Sequence, residues 1–344
     1  MTEKKRKHFF GALLILYFLF FGALLAVGSF YDLDIEENLF DPQNGFAHFF
    51  EIWGEAPRFA MWAPAATVLL FCRHSLAECV EVIHRIFPFI PKISAKTIKR
   101  KRYKLCNFVL NIVEIVGFTA LAVLGWDKLI RNVGKYYVDL SRGVWYAIAA
   151  VVTLIVFALF TKIPKSVLNR LEPLALAGIV FGLLYILQPA IKGIFNRARF
   201  REMVAFSVGI KDAKDASVSR ALLSRADLSY FTPWYKSGMG GTVLNGLKLS
   251  GTSCPSGHMM SGCFIFLITL LTETFDRTKK FTLPAALFSF LYVGVLGLTR
   301  IIRGAHFLSD ISLGAIFGML FFLIAAGLLK SFYRHAYLPV RDYV

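Results

Sequence analysis

The sequence predicts an all-α, polytopic transmembrane helix bundle of about eight spans, with the N- and C-termini in the cytoplasm. Of its 344 residues, 56% are hydrophobic and only 18% are charged, whereas soluble domains average about 45–50% apolar and about 25% charged residues. Apolar runs close to the ~20 residues needed to cross a bilayer recur along the chain. The formal net charge of +17 fits a membrane protein with basic loops.

The same composition excludes several classes of protein. The chain is too hydrophobic to be disordered, and its excess charge lies on an apolar chain, so we expect no nucleic-acid partner. The cysteines are odd in number and form no C-x-x-C pair, so neither a disulfide framework nor a zinc site is expected. We predict a single membrane domain over residues 1–344.

Eight segments are candidates for membrane spans: residues 9–29, 57–73, 107–126, 143–161, 173–191, 256–275, 281–299 and 311–330. The second segment is the shortest and contains Pro64. The first is too long for the apolar region of a signal peptide and is interpreted as a retained anchor. Residues 74–90 are interrupted by charges and are predicted to form an amphipathic helix at the membrane interface.

The distribution of Lys and Arg predicts the orientation. Basic residues cluster at the N-terminus, in residues 73–104, 161–172 and 276–280, and in the C-terminal tail. With eight spans all of these lie on one side, which the positive-inside rule makes cytoplasmic. The first segment on the opposite side, residues 30–56, carries acidic residues but no Lys or Arg.

Residues 192–255 form a long predicted outer loop that is basic despite its location. Long loops cross the membrane largely regardless of charge, so this loop does not contradict the orientation. It also carries Phe231, Trp234 and Tyr235, and a group of glycines at 238–241. Two interpretations remain open: contact with an anionic, partly apolar ligand, or a solvated loop resting on lipid headgroups.

Two clusters of polar residues border predicted spans at the outer face. Lys192 and Arg199 are seven residues apart, so they share one face if the helix continues between them; flanking basic residues also commonly anchor spans to headgroups. The string Pro255-Ser256-Gly257-His258 opens the sixth span. Ser suits a helix start, the free N–H groups there attract anions, and a neighbouring histidine can transfer a proton near neutral pH.

A third cluster joins the last two spans and contains Arg300, Arg303, His306 and Asp310. His306 and Asp310 are four residues apart, so we expect the carboxylate to bond one imidazole nitrogen and fix its tautomer. Several cations and two histidines at one membrane face suit a tetrahedral oxyanion such as phosphate. Acidic residues are too few there for a magnesium site, and we expect neither a metal nor another cofactor.

These three clusters resemble the three signatures of the type 2 phosphatidic-acid phosphatase superfamily, in the family's order. The superfamily includes lipid phosphate phosphatases, bacterial phosphatidylglycerophosphate and undecaprenyl-diphosphate phosphatases, glucose-6-phosphatase and the vanadium haloperoxidases. Phe200 and Thr299 stand where the family usually has Pro and Ser, and neither removes a charged or nucleophilic group. Residues 107–344 would form the phosphatase core, whereas residues 1–106 carry no motif.

The resemblance implies a role for each matching residue. His306 would attack phosphorus and form a phosphohistidine, Asp310 would orient it, and His258 would protonate the leaving group and then activate water. The remaining signature residues would bind the phosphate oxygens: Lys192, Arg199, Ser256, Gly257 and Arg300. Arg303 is outside the signatures and is interpreted as a structural or headgroup contact.

The expected function is that of a metal-independent phosphatase of a lipid phosphate monoester or diphosphate at the outer membrane face. Its expected partners are a phosphorylated lipid substrate and membrane lipids. The chain has no Asn-x-Ser/Thr sequon, which favours a bacterial plasma membrane over a glycosylating compartment. Two alternatives remain: a sugar-phosphate phosphatase similar to glucose-6-phosphatase, and a non-catalytic protein that binds or transports a lipid phosphate. The second would not need the histidines and Asp310.

Overall fold

A computed structural model gives the fold and describes residues 3–72 and 101–336, together with residues 89 and 91. Apart from residue 89, the predicted interfacial helix at 74–90 lies outside the described residues. Most of the basic segment 73–104 and the end of the C-terminal tail lie outside them too.

The described part of the chain is overwhelmingly α-helical, which confirms the predicted fold class. Its α-helices are α1 Glu3–Leu39, α2 Gly45–Trp53, α3 Ala56–Phe71, α4 Lys101–Gly134, α5 Arg142–Phe160, α6 Lys165–Tyr185, α7 Gln188–Phe195, α8 Phe200–Ser207, α9 Gly257–Gly262, α10 Leu267–Thr274, α11 Thr282–Ile302 and α12 Leu308–Ala336. Short 3₁₀ helices occupy Arg220–Arg225, Leu228–Tyr230, Cys263–Phe266 and Lys279–Phe281. Strands β1 Val243–Leu244 and β2 Leu247–Lys248 pair antiparallel, with Val243 opposite Lys248.

Seven stretches within the described residues are helical, long and apolar enough to cross a membrane: His8–Leu39, Lys101–Gly134, Arg142–Phe160, Lys165–Phe195, Gly257–Thr274, Lys279–Ile302 and Leu308–Leu328. Each corresponds to one of the eight predicted spans. The remaining predicted span, 57–73, forms α3, which has 16 residues. A helix of that length is about 24 Å long, short of the ~30 Å hydrocarbon core. Its crossing, and with it the orientation of the termini, stays a prediction.

The chain divides into two compact units. The first unit comprises Met1–Arg58 and Leu183–Phe322, and the second comprises Phe59–Gly182 and Leu323–Val344. These units do not coincide with the predicted division at residue 106. All of the predicted site residues belong to the first unit.

In the second unit, apolar side chains of α3 and α6 pack together. Leu69 and Cys72 form a buried cluster with Leu168 and Ala175. Burial of each large apolar side chain contributes roughly 1.5–3 kcal/mol.

In the first unit, a hydrophobic cluster surrounds the start of α8. Phe200 is fully buried, and its ring centroid lies 5.1 Å from that of Phe40 and 6.2 Å from that of Phe307. This packing accounts for the departure from the usual proline at position 200. The aromatic side chain fixes α8 against the residue that directly follows His306.

Gly304 makes the tight turn that joins α11 to α12. Its φ of 62° is in the left-handed region, and a Cβ there would lie 2.5 Å from the Phe40 ring. Its carbonyl accepts a hydrogen bond from the Arg201 backbone N–H at 2.9 Å. Only glycine fits this backbone without strain, and the turn places Arg303 and His306 on either side of it.

Candidate active site

Lys192 and Arg199 are brought together by a bridge between two backbone segments and not by a continuous helix. Helix α7 ends at Phe195, and the next residue, Asn196, has a φ of 46°. Arg199 precedes α8 in an extended conformation. Because the helix does not continue, the shared helical face suggested by the seven-residue spacing does not form. Instead, residue 197 pairs with Thr252, and Lys192 Nζ donates to the Thr252 carbonyl at 2.5 Å.

The second signature forms the start of α9, as the sequence predicts. Ser256 is the residue before the first helical turn, and its backbone N–H donates to the Asp310 carbonyl at 2.9 Å. The Ser256 hydroxyl is buried and has no hydrogen-bond partner among the described residues. Gly257 is closely packed, because a Cβ there would lie 2.9 Å from Gln188 Nε2.

His258 is half-buried and lies next to the backbone of α2. Its Nε2 is 3.5 Å from the carbonyl oxygen of Glu51, which is too long for a strong hydrogen bond. The Glu51 carbonyl therefore holds this ring nitrogen only weakly.

His306 is buried and is oriented by a backbone carbonyl. Its Nδ1 lies 2.7 Å from the Ser253 carbonyl oxygen, so Nδ1 carries the proton and donates it. The other ring nitrogen, Nε2, then keeps its lone pair. Burial lowers the pKa of His306 well below its usual value, and the positive charges of Lys192 and Arg199 lower it further. The ring is therefore neutral, as a nucleophile must be.

The prediction that Asp310 hydrogen-bonds to His306 is wrong, because the carboxylate bonds to other groups. The Asp310 carboxylate accepts from Ser253 Oγ at 2.5 Å, the Phe307 backbone N–H at 3.0 Å and Arg197 Nη1 at 2.8 Å. The two residues are four positions apart, but His306 lies before the first residue of α12, so they do not share a helical face. Asp310 acts on His306 indirectly, by fixing the segment whose carbonyl holds the ring.

Arg197 and Asp32 complete this buried network, and the sequence analysis missed both. Arg197 Nη2 donates to Asp32 at 2.9 Å, and Nη1 donates to Ser309 Oγ at 2.8 Å. Burial alone would lower the pKa of Arg197, but the carboxylates of Asp310 and Asp32 raise it. The guanidinium also lies 4.0 Å from the centre of the Phe307 ring. The network links α1 to the loop that carries His306.

Glu51 of α2 is a second carboxylate that the sequence analysis missed. It contacts Arg303 and Arg201, and it faces the signature residue Arg300. Burial alone would raise the pKa of Glu51, but the three guanidinium groups, Arg300 foremost, hold it well below its usual range. Arg303, interpreted from sequence as a structural or headgroup contact, is therefore an ion-pair partner inside the site.

Several buried donors in this region have no hydrogen-bond partner among the described residues. They include Arg199 Nε, Arg300 Nε and Nη1, and the Ser256 hydroxyl, and Arg197 Nε and Arg201 Nε are unpartnered in the same way. Burial, and then the charge of Arg201, lower the pKa of Arg199. Buried donors are normally paired in proteins, so this arrangement is suited to an anion with several acceptor oxygens.

Within the described residues, no group of three or more His, Cys, Asp or Glu is arranged to hold a metal ion. The cationic side chains could supply the positive charge that a phosphate requires. The predicted independence from metals stays a prediction.

Comparison with known proteins assigns the chain to a family. Neither a search of curated proteins nor one of solved structures returned a match. A scan of protein families matches residues 144–333 to the PAP2 superfamily. The match covers more than half of the chain and includes every residue of the three signatures, whereas Asp32 and Glu51 lie outside it. The chain is therefore a multi-pass membrane protein that belongs to the PAP2 superfamily of phosphatases.

Proposed function

We propose that the chain hydrolyses a lipid phosphate monoester or diphosphate at the outer membrane face, without a metal, through a phosphohistidine intermediate. One observation carries this proposal. The neutral His306 has its Nδ1 held by the Ser253 carbonyl and its Nε2 without a partner among the described residues, and it belongs to a cluster of cations whose buried donors also lack partners there. A site for binding alone would need the cations but not a nucleophile held in a fixed tautomer.

In the first step, the His306 Nε2 lone pair attacks phosphorus and the bond to the leaving oxygen breaks. The Nδ1–H stays on the ring, and its hydrogen bond to the Ser253 carbonyl stabilises the charge that develops there. His258 gives a proton to the leaving alkoxide or phosphate oxygen. The products of this step are the alcohol or lipid monophosphate and a phosphorylated His306.

In the second step, His258 removes a proton from water, and the resulting oxygen nucleophile attacks phosphorus. The phosphorus–nitrogen bond then breaks, which returns the lone pair to His306 and releases inorganic phosphate. The same histidine serves as acid and then as base, as microscopic reversibility allows.

The signature cations stabilise the charge on the equatorial phosphate oxygens in both steps. Among the residues that the structure describes, guanidinium nitrogens of Arg199 and Arg300 and the Ser256 hydroxyl have no partner and are available for this purpose. Lys192 is fixed by the Thr252 carbonyl and adds charge. The N–H of Gly257, in the first turn of α9, is a further donor.

A lipid substrate is supported by the position of the site at the ends of apolar helices. The three signatures adjoin the ends of Lys165–Phe195, Lys279–Ile302 and the starts of Gly257–Thr274 and Leu308–Leu328. If these four helices cross the bilayer in succession, all four boundaries fall on the same side of the membrane, and this does not depend on whether α3 crosses. A phosphate there lies at the level of headgroups, with its acyl or prenyl tail in the bilayer.

The experiment compares kcat/KM for phosphate release from a panel of lipid phosphates, lipid diphosphates and sugar phosphates. The full chain is purified in detergent and assayed with and without EDTA. We expect a lipid phosphate to be preferred, no effect of EDTA, and no release by His306→Ala. A clear preference for glucose 6-phosphate would favour the sugar-phosphate alternative. Phosphate release that His306→Ala retains would contradict the mechanism.

A further inference from the structure

Glu51 is a buried carboxylate surrounded by four cations beside the phosphate-binding residues. Its side chain is only 3% exposed. It accepts hydrogen bonds from Arg201 Nη1 at 2.9 Å and from Arg303 Nε at 2.9 Å, and Arg303 Nη2 lies at 2.8 Å. Lys214 Nζ is 3.6 Å away and Arg300 Nη2 is 3.5 Å away. No signature includes Glu51.

The contact with Arg300 engages one end of a guanidinium that the phosphate also needs. Arg300 Nη2 faces the Glu51 carboxylate, whereas Nε and Nη1 have no partner among the described residues. Arg300 is 1% exposed, so its orientation depends on this contact and on packing. The carboxylate therefore holds the guanidinium while two of its nitrogens stay available to an anion.

The cations around Glu51 also bear on how tightly the site retains phosphate. Arg201, Arg300 and Arg303 are buried around Glu51, the half-buried Arg199 lies beside them, and Lys214 is at the exposed edge. Phosphate bound to so many cations would leave slowly, because electrostatic attraction is strong where water is excluded. A fixed negative charge within this region weakens the attraction for the phosphate dianion. Glu51 is ionised for this role, since the cations hold its pKa low.

We propose that Glu51 is a positioning residue for Arg300 and a counter-charge that limits how tightly the site retains phosphate. This inference rests on the proposed function, because it assigns the residue to the same site. It also makes α2 part of the active site, although α2 precedes the segment that matches the family. The Glu51 carbonyl, next to His258 Nε2, places the same helix beside the proposed acid.

The test is Glu51→Gln in the full chain purified in detergent. The change keeps the shape of the side chain and removes its charge. We expect kcat to fall about tenfold and the inhibition constant of inorganic phosphate to fall about tenfold, with KM for the lipid phosphate unchanged or lower. Glu51→Asp, which keeps the charge, should restore most of the wild-type phosphate inhibition. Asp34→Asn removes the same charge from an exposed position on α1 and should change neither constant.

A double variant separates counter-charge from a structural role. Glu51→Gln with Arg303→Gln removes one negative and one positive charge, so phosphate inhibition should return toward the wild-type value. If Glu51 only maintains the fold, the double variant should be at least as impaired as either single variant. If Glu51→Gln does not fold, the double variant is compared with Arg303→Gln alone. Stronger phosphate inhibition in the double variant supports the counter-charge, and equal or weaker inhibition overturns it.

A calorimetric measurement of the affinity for inorganic phosphate makes this test independent of turnover. If the wild-type chain released no phosphate from any ester, the proposed function would fail, but tighter phosphate binding by Glu51→Gln would still support the counter-charge. Unchanged or weaker phosphate binding by a folded Glu51→Gln would overturn the inference, whatever the activity of the wild-type protein.

Discussion

His306 is held by a backbone carbonyl just before the second signature, and Asp310 is linked to His306 through the residue that carries this carbonyl. Ser253 connects the two, because its carbonyl accepts from His306 and its hydroxyl donates to Asp310. A backbone acceptor fixes the tautomer without taking the proton from the ring. At the level of single residues, the orientation of His306, the proposed nucleophile, depends on a loop conformation that Asp310 and Arg197 maintain.

This arrangement predicts that Asp310→Asn is less damaging to catalysis than His306→Ala. Loss of the nucleophile should lower kcat by about 10⁴-fold or more, whereas loss of the Asp310 charge should lower it by about 10–100-fold. Asp310→Asn should also destabilise the protein by roughly 3 kcal/mol, because it leaves the Arg197 charge only partly compensated. The measurements are phosphate release and thermal unfolding in detergent. Equal losses of kcat with unchanged stability would point to direct contact between Asp310 and His306.

The lowered pKa of His306 predicts a dependence of stability on pH. In the unfolded chain the imidazole takes up a proton below about pH 6.5, whereas the buried ring resists protonation. The unfolded state therefore binds more protons as the pH falls, so stability declines from about pH 6.5 downward until the folded-state pKa is reached. The unfolding temperature should fall between pH 7 and pH 5, and it should fall less in His306→Gln. The same slope in both proteins would mean that the ring is not buried in its neutral form.

At the scale of helices, α1 combines a predicted membrane span with an extension that contacts the network around His306. The predicted span ends at residue 29, but the helix continues to Leu39. This continuation carries Asp32 to Arg197 and Ser309. The Ser309 backbone N–H donates to Asp32 Oδ1 at 2.9 Å, and its hydroxyl donates to Oδ2. Helix α1 thus contributes to the site as well as to the membrane region.

Removing the Asp32 charge should destabilise this part of the molecule. Asp32 and Arg197 form an ion pair with both side chains 1% exposed, and breaking a buried pair costs about 3–5 kcal/mol. We expect Asp32→Asn to lower the free energy of unfolding by an amount in this range and to reduce phosphate release. Asp34→Asn, on an exposed turn of the same helix, should change stability by less than about 0.5 kcal/mol. Equal stability of the two variants would contradict the role of α1.

The helices and signatures could be predicted because apolar length and short motifs are local signals. Asp32 and Glu51 could not be assigned in the same way, since their partners are more than 100 residues away in the sequence. The acidic segment 30–56 is a signal, but its charge is equally a feature of membrane orientation. The Ser253 carbonyl could not be predicted either, because side-chain identity does not reveal which backbone atom faces a ring.

At the scale of the whole molecule, the orientation in the membrane makes a prediction. Residues 192–255 should lie outside and residues 161–172 inside. In a variant with Cys106→Ser, which removes an exposed cysteine, we expect Lys236→Cys to react with an impermeant maleimide in intact cells. Lys162→Cys, also exposed in the fold, should react only after the membrane is permeabilised. The reverse pattern would place the site on the cytoplasmic side.

The central claim is that His306 carries the phosphoryl group during turnover. The most direct measurement mixes the full chain with a lipid phosphate labelled in its phosphorus, quenches in alkali, in which phosphohistidine is stable, and locates the label by peptide mass spectrometry. We predict label on His306 in the wild-type protein and none in His306→Ala. Turnover without label on His306, or label on another residue, would contradict the account.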